Sequence, residues 1–280
     1  MLEKQNLSIV LDSDNIFQNL WNEVVNILDD EFSLAVWGTV VITFSVYWGV
    51  GLIYSLIDLT GKPELLLRYK IQDVKSYPIQ ISQYFHVAKQ VLFNQIFIST
   101  PIAIIGYDVL KWRCYDNRLQ LPSFSRFLFE LLIFLLLEEV AFYYSHRLLH
   151  HPKLYKYIHK RHHELISPFA IGALYCHPIE HVVSNVIPPY LGPIFMGSHV
   201  SVMWIWFIIC LITTLNAHSG YHFPFFPSPE AHNYHHLKFN QNYGALGILD
   251  FLHGTNKKFY KSREYARHFT FFNFAALKTQ

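Results

Sequence analysis

Ten histidines of the chain fall into four short motifs with regular spacing. The motifs read HRLLH, HKRHH, HSGYH and HNYHH, and they hold more than half of the 17 histidines in the 280-residue sequence. Residues three or four positions apart share one face of a helix, so each motif is expected to present its imidazoles together. The ten positions are His146, His150, His159, His162, His163, His218, His222, His232, His235 and His236.

Clustered imidazoles are typical of metal sites. Neutral imidazole is a good ligand for iron, zinc, copper and nickel. One ion takes about four to six ligands, so ten rings predict a site for two ions, which neutral ligands would leave strongly Lewis acidic. The segment HHELIS approaches the zinc-protease pattern H-E-x-x-H, but Ser167 stands where the second histidine is required. The protease hypothesis is therefore rejected.

Several polar residues near the motifs are candidates for a further ligand or for an acceptor of an imidazole N–H, which metal-bound histidines normally donate to a neighbouring group. Glu138 and Glu139 precede His146 by two helical turns and can share its helix face. For these two acids, pairing with a base such as Arg147 is the alternative. The full set of candidates is His151, His177, Glu138, Glu139, Asn242 and Asp250.

The elements that carry these residues are predicted to lie in a membrane. Hydrophobic residues make up 52% of the chain and charged residues 15%, against about 25% in soluble proteins. Apolar segments 32–57, 91–110 and 124–151 are each long enough to cross a bilayer. Segment 182–215 is interpreted as a helical hairpin broken at Pro188, Pro189, Gly192 and Pro193. The predicted fold is an all-α integral membrane protein, a bundle of about four to five transmembrane or hairpin helices capped by a cytosolic histidine-rich domain.

Four regions follow from this pattern. They are an acidic, lumenal N-terminal tail (1–32), N-terminal transmembrane helices (33–122), a catalytic domain (123–256) and a basic C-terminal tail (257–280). Basic segments 146–180 and 257–280 place the histidines in the cytosol by the positive-inside rule. The basic segment 111–118 disagrees, because the same model makes it lumenal. No signal peptide, disulfide framework or nucleic-acid-binding patch is indicated.

The motifs together resemble a known family. HRLLHH, HKRHHE, HSGYH and HNYHH, with NYGALGILDFLHGT after them, resemble the fatty acid hydroxylase superfamily of membrane di-iron oxygenases between about Glu138 and Thr255. The resemblance implies an enzyme of the endoplasmic reticulum with the ten histidines as ligands of two iron ions facing the cytosol. It would use O₂ and electrons to hydroxylate a lipid C–H bond. The chain has no HPGG haem motif, so the electrons would come from a separate protein such as cytochrome b5 with its NAD(P)H reductase.

The motifs do not distinguish a sterol from a fatty-acyl substrate. Many sterol 4-methyl oxidases of the superfamily carry aspartate where this chain has His222. Hydroxylation of a sterol 4-methyl group is the first hypothesis, with a fatty-acyl or sphingolipid hydroxylase, a desaturase and a non-catalytic membrane scaffold as alternatives. No catalytic residue beyond the metal ligands is predicted. Phe142, Tyr143 and Tyr144 are expected to line the substrate path, although ordinary packing explains them nearly as well.

Overall fold

The computed structural model describes residues 16–72, 78–113 and 120–274, and the regular secondary structure among them is helical. No strand occurs among them, and their one β-bridge joins Lys70 to Tyr221. The prediction of an all-α protein is confirmed. Residues 1–15 of the predicted lumenal tail, and the end of the basic tail, lie outside the described residues.

Twelve α-helices are found in the described ranges. They are α1 (Ile16–Leu28), α2 (Thr39–Thr60), α3 (Glu64–Leu67), α4 (Ile81–Asn94), α5 (Thr100–Trp112), α6 (Phe124–Leu149), α7 (Pro152–Tyr155), α8 (Pro178–Glu180), α9 (Ile187–Met196), α10 (Val200–Ser219), α11 (Glu230–Lys238) and α12 (Ile248–His253). Wide π-helical turns Ser33–Gly38, Gln95–Ser99 and His181–Val186 lead into α2, α5 and α9. Narrow 3₁₀ turns occur at His159–Glu164, Ala170–Leu174, Phe259–Lys261 and Tyr265–Arg267.

Among the described residues, three helical runs are long and apolar enough to cross a membrane. They cover Ser33–Thr60, Ile81–Trp112 and Val200–Ser219. The second begins ten residues before the predicted span 91–110, because α4 and α5 are joined through a π-helical turn into one rod. The predicted span 124–151 is a single helix of 26 residues, but its acidic residues keep it outside this apolar set.

The predicted break of segment 182–215 is in the wrong place. Pro188 and Pro189 lie in the first turn of α9, where no helical partner for their missing N–H is needed, and Pro193 lies inside the helix. The chain reverses instead at Gly197, whose left-handed φ of 57° ends α9. The hairpin therefore consists of α9 and α10, joined at residues 197–199.

Arg113, one of the bases in the segment 111–118 that disagrees with the charge rule, has a defined contact. Its guanidinium donates to the carbonyl oxygens of Ile194 and Phe195, at 3.0 and 2.8 Å. These are among the last carbonyls of α9, which carry no partner within the helix and attract positive charge. Arg113 thus has a local structural role.

The membrane-spanning helices hold the segment that follows the second histidine motif. The 3₁₀ turn Ala170–Leu174 is fully buried and packs against α2, α4 and α10. The hydroxyl of Tyr47 on α2 donates to the carbonyl of Ile171 at 2.8 Å. Asn94 on α4 donates to the carbonyls of Leu174 and Cys176, both at 3.1 Å. These bonds fix a backbone that the functional site uses directly.

The close packing of α6 against α9 depends on a glycine. A Cβ on Gly192 would lie 2.7 Å from the Cα of Phe134, which is backbone and cannot turn away. A Cβ added to Gly49 on α2 would have no atom within 4 Å.

We expect Gly192→Ala to lower stability by about 1–3 kcal/mol, because the added methyl group forces α6 and α9 apart. Gly49→Ala is the matched control and should be neutral or slightly stabilising, since alanine favours helix. Thermal unfolding of the two variants in the same detergent measures the difference. Equal melting temperatures would contradict the proposed contact.

Candidate metal centre

Nine of the ten motif histidines converge into two groups. The five-histidine group consists of His146, His150, His159, His163 and His235. The four-histidine group consists of His162, His218, His232 and His236. Within each group the ring nitrogens all lie within 4.8 Å of one another, so each group could hold a metal ion. All nine rings are buried except His150 and His232, which are partly buried.

The two HxxHH motifs are shared between the groups in a reciprocal way. His159 and His163 of the first motif join the five-histidine group, while His162 joins the other. In the second motif, on α11, His232 and His236 join the four-histidine group, while His235 crosses to the five-histidine group. The ends of α6 and α10 supply the remaining rings. The first motif forms a 3₁₀ turn rather than the predicted α-helix.

Within each group the Nε2 atoms face one another. Between neighbouring rings of the five-histidine group the Nε2–Nε2 distances are 2.9 to 3.2 Å. In the four-histidine group they are 2.8 to 3.3 Å. Nitrogens bonded to one ion at about 2.0–2.1 Å are about 2.9–3.4 Å apart, so both groups have the size of a coordination shell.

The opposite ring nitrogens have their own acceptors, which fixes the position of the proton. For five rings the Nδ1 atom lies 2.7 to 3.2 Å from a backbone carbonyl oxygen, which only accepts. These pairs are His146 with the carbonyl of Tyr243, His162 with Tyr175, His218 with Thr214, His235 with Gln241, and His236 with Leu165. The Nδ1 atom of His159 lies 2.8 Å from Glu180, a carboxyl group whose pKa is raised by burial.

A proton on Nδ1 leaves a lone pair on Nε2. His162 and His218 both have such acceptors. Their facing Nε2 atoms, at 3.3 Å, therefore cannot hydrogen bond to each other. Two facing lone pairs repel unless a cation lies between them. The four-histidine group fits a metal ion on this ground. The five-histidine group fits a second ion, because His146 and His235 also have carbonyl acceptors on Nδ1 and their ligand nitrogens lie within 4.8 Å of each other.

Burial keeps the rings neutral, which is the form that binds metal. Burial, followed by the neighbouring imidazoles, lowers the pKa of His150 to about 2 and that of His162 to about 4. The same causes lower the pKa of His235 and His236 well below its usual value. At neutral pH no proton competes with a metal at these nitrogens.

The structure does not bring His222 to either group. Helix α10 ends at Ser219 and Gly220 adopts a left-handed φ of 71°, so the helical spacing between His218 and His222 does not apply. The Nε2 atom of His222 lies 2.9 Å from the carbonyl oxygen of Phe269, and the ring is buried beside the C-terminal segment. The glycine inside HSGYH is the sequence signal for this break, because glycine is the usual residue just past a helix end.

Three more candidates also lie outside the groups. His151 and His177 are the N-cap residues of α7 and α8, where their Nδ1 atoms accept from the backbone N–H of Lys153 and Ile179. Asn242 has a left-handed φ of 56°, and its amide donates to the carbonyl of Ala231 at 3.0 Å. These side chains shape the backbone near the groups.

Glu139 and Asp250 support the site through a loop. Glu139 accepts the backbone N–H groups of Leu246 and Leu249, at 2.7 and 3.1 Å. Asp250 accepts those of Tyr243 and Gly244, at 2.9 and 2.7 Å. The two acids thus hold the loop that carries the Tyr243 carbonyl, the acceptor of His146. The predicted direct contact with an imidazole is not observed for either acid.

A cavity of about 730 Å³ runs from the spanning helices to the four-histidine group. Its walls include Phe44 of α2, Ile96 of the α4–α5 rod and Leu135 of α6, and it reaches His218 and His232. No residue of the five-histidine group lines it.

The remaining candidates differ in their position relative to this cavity. Glu138 and Phe142 line it. Tyr143 and Tyr144 do not, because their rings pack instead against His253. The predicted lining role is therefore not observed for these two tyrosines.

We expect the metal-free protein to lose stability when the pH falls from about 7.5 to 5.5. Unfolded histidines, with a pKa of about 6.5, take up protons in this interval. The seven grouped histidines outside the spanning helices, whose pKa values are lowered, do not. The unfolded state then binds more protons, so acid favours unfolding.

Two buried carboxyls, Glu180 and Glu230, have raised pKa values and act in the opposite sense, but they are outnumbered. Melting curves of the metal-free protein at three pH values measure the effect. His150→Gln removes one of the seven groups and should make the dependence shallower. A melting temperature that does not change with pH would contradict the neutral, buried state of the rings.

Comparison with known proteins identifies the family. Residues 131–255 match the family model described as fatty acid hydroxylase. Fatty acid hydroxylase domain-containing protein 2 of Homo sapiens is 46% identical over 266 residues, which are 95% of this chain and 80% of that protein. A protein of Dictyostelium discoideum named as a methylsterol monooxygenase is 33% identical over 252 residues, 87% of this chain and 92% of its own length.

Another relative is named for a different reaction. A very-long-chain aldehyde decarbonylase of Oryza sativa subsp. japonica is 33% identical over 245 residues, 83% of this chain and 89% of its own. No solved structure matches the chain. On the extent of these matches, the chain belongs to the fatty acid hydroxylase family of membrane oxidoreductases.

Proposed function

We propose that the chain is a di-iron monooxygenase that hydroxylates a C–H bond of a membrane lipid, with a sterol 4-methyl group as the first candidate substrate. O₂ and electrons from a separate carrier protein complete the reaction. One observation carries the proposal: a lipid-sized cavity among the spanning helices is lined by His218 and His232, two members of a group whose facing lone pairs suit a metal ion.

The nine grouped histidines are the proposed ligands, five for one iron and four for the other. Both shells consist of neutral nitrogen, which suits iron as well as zinc. Iron is favoured here because the family is di-iron. Bound iron would supply the chemistry that activates O₂ and replaces a C–H hydrogen with hydroxyl.

The chain itself binds and aims the lipid. Apolar side chains such as Phe44, Ile96 and Phe142 line the cavity and would exclude water from the reacting carbon. The carbonyls of Tyr175 and Thr214 fix the orientation of His162 and His218, so their Nε2 atoms stay in place when substrate enters. The lipid meets the four-histidine group first, because this group alone reaches the cavity.

The proposed location is the membrane of the endoplasmic reticulum, with both groups at its cytosolic face. Lys153, Lys156 and Lys160 are exposed beside the histidines, as the positive-inside rule expects for a cytosolic segment. We further propose that residues 123–256 form the catalytic domain, which agrees with the family match over 131–255.

The sterol hypothesis draws on the relative named as a methylsterol monooxygenase, which matches over nearly its whole length. The name of the human relative favours a fatty-acyl substrate equally well. The volume of about 730 Å³ is in the range of small-molecule sites and does not separate these lipids.

We expect purified wild-type protein to bind about two iron ions per chain, and His235→Asn or His232→Asn to lower this content by about half or more, because each removes one ligand. His222→Asn should keep the wild-type content, since His222 lies outside both groups. Elemental analysis of each folded variant measures this. Loss of iron in His222→Asn, with full iron in His232→Asn, would contradict the proposed ligand sets.

The function is tested by lipid analysis of cells that lack this protein, restored with wild type, His162→Ala or His151→Asn. If 4-methylsterols accumulate and wild type clears them, the sterol hypothesis is supported. His162→Ala should fail because it loses a ligand, and His151→Asn, beside the ligand His150 but outside both groups, should succeed. If cells that lack the protein lose hydroxylated or unsaturated acyl chains instead, the fatty-acyl alternative replaces the sterol hypothesis. Equal restoration by all three proteins would rule out an enzyme acting through these histidines.

A further inference from the structure

The two histidine groups face different surroundings. The four-histidine group reaches the lipid cavity through His218 and His232. No residue of the five-histidine group lines this cavity. Two aromatic rings, Tyr155 and Phe239, cover this group on another side. Both rings are half-buried, so each contacts the histidines on one side and solvent on the other.

Tyr155 and Phe239 form an aromatic window over the five-histidine group. The Tyr155 ring centroid lies 5.6 Å from that of His150, 5.9 Å from His163 and 6.1 Å from His159. The Phe239 ring lies 4.8 Å from His163. The two aromatic rings are 6.3 Å apart, so together they cover one side of the five-histidine group.

The backbone at Phe239 indicates that its ring is needed at this place. Phe239 ends α11 with a left-handed φ of 63°. This conformation suits glycine or asparagine and is unfavourable for a large side chain. The helix end alone would be better served by glycine. The observed contact between the Phe239 ring and His163 gives the phenylalanine a reason to be there.

The surface around the window is positively charged. Lys153, Lys156 and Lys160 are exposed on α7 and the residues after it, and Lys238 is exposed next to Phe239. The segment 151–164 holds four basic residues, with Arg161, against one acid, Glu164. Such a surface attracts a partner with an acidic face.

We infer that an acidic one-electron carrier protein docks over this window, and that its electrons enter the metal centre through Tyr155 and Phe239 at the five-histidine group. The inference rests on the proposed function. Hydroxylation consumes one C–H bond, one O₂, two electrons and two protons, and it yields one C–OH and one water. The carrier would therefore be oxidised twice in each cycle, one electron at a time, and the lipid would be oxidised on the side of the four-histidine group.

Docking is tested on the metal-free protein, with the soluble haem domain of cytochrome b5 as the acidic carrier. Lys153→Glu with Lys156→Glu should weaken binding at low salt by at least about tenfold, because two attractive charges become repulsive. Lys62→Glu with Lys261→Glu reverses two exposed charges elsewhere and should change the affinity less than about twofold. About 0.5 M salt should remove most of the difference.

Two results would overturn the docking site. One is equal carrier binding by both double variants. The other is that Lys153→Glu with Lys156→Glu binds the carrier as wild type does but no longer binds vesicles of anionic lipid. That result would assign these two lysines to the membrane surface. Neither result depends on lipid turnover, so failure of docking is distinguishable from failure of the proposed function.

The window itself is tested with Phe239→Asn, which suits the left-handed backbone while removing the ring. In iron-loaded protein, oxidation of the reduced carrier should slow several-fold, with unchanged carrier affinity. Reduction by dithionite, which does not need to dock, should keep its rate. Slowing by the same factor with both reductants, or no slowing with either, would overturn the role of the window.

Discussion

The structure depends on one interaction that is repeated around the site. An imidazole donates its Nδ1 proton to an oxygen that is fixed by the fold, and its Nε2 lone pair then points inward. Five rings are held in this way, all of them by backbone carbonyls. The result is a set of lone pairs about 3 Å apart that repel one another in the absence of a cation. The surrounding fold must therefore be rigid enough to hold an arrangement that the rings alone would not adopt.

That rigidity can be followed outward from each carbonyl. Tyr175 follows the buried turn 170–174, which hydrogen bonds from Tyr47 and Asn94 attach to the spanning helices. The Tyr243 carbonyl lies in a loop whose N–H groups are held by Glu139 and Asp250. Buried carboxylates with several N–H partners are well compensated. The membrane bundle and the polar cap are thus two parts of one support, and neither acid needs to touch an imidazole to matter for it.

Much of this could be predicted from sequence, for identifiable reasons. Spacings of three and four brought nine histidines together because those residues lie on helical turns or at helix ends. His222 lies outside both groups because Gly220 ends α10 between His218 and His222. The predicted break at the proline-rich stretch was wrong for a similar reason. Pro188 and Pro189 lie in the first turn of α9, and Gly197 ends that helix. The backbone acceptors could not be found at all, since every residue has a carbonyl and only the fold decides which one faces an imidazole. The packing of Tyr143 and Tyr144 on His253 was hidden for the same reason.

The reciprocal sharing of the two HxxHH motifs has a consequence for how this centre can change. Each motif contributes a pair of rings to one group and its third ring to the other. Any displacement of α11 against the 159–164 turn therefore alters both shells at once. Such a displacement would reach both groups, whereas the loss of a single ring affects directly only the group to which that ring belongs. The two histidine groups thus form one mechanical unit, because each HxxHH motif has rings in both of them.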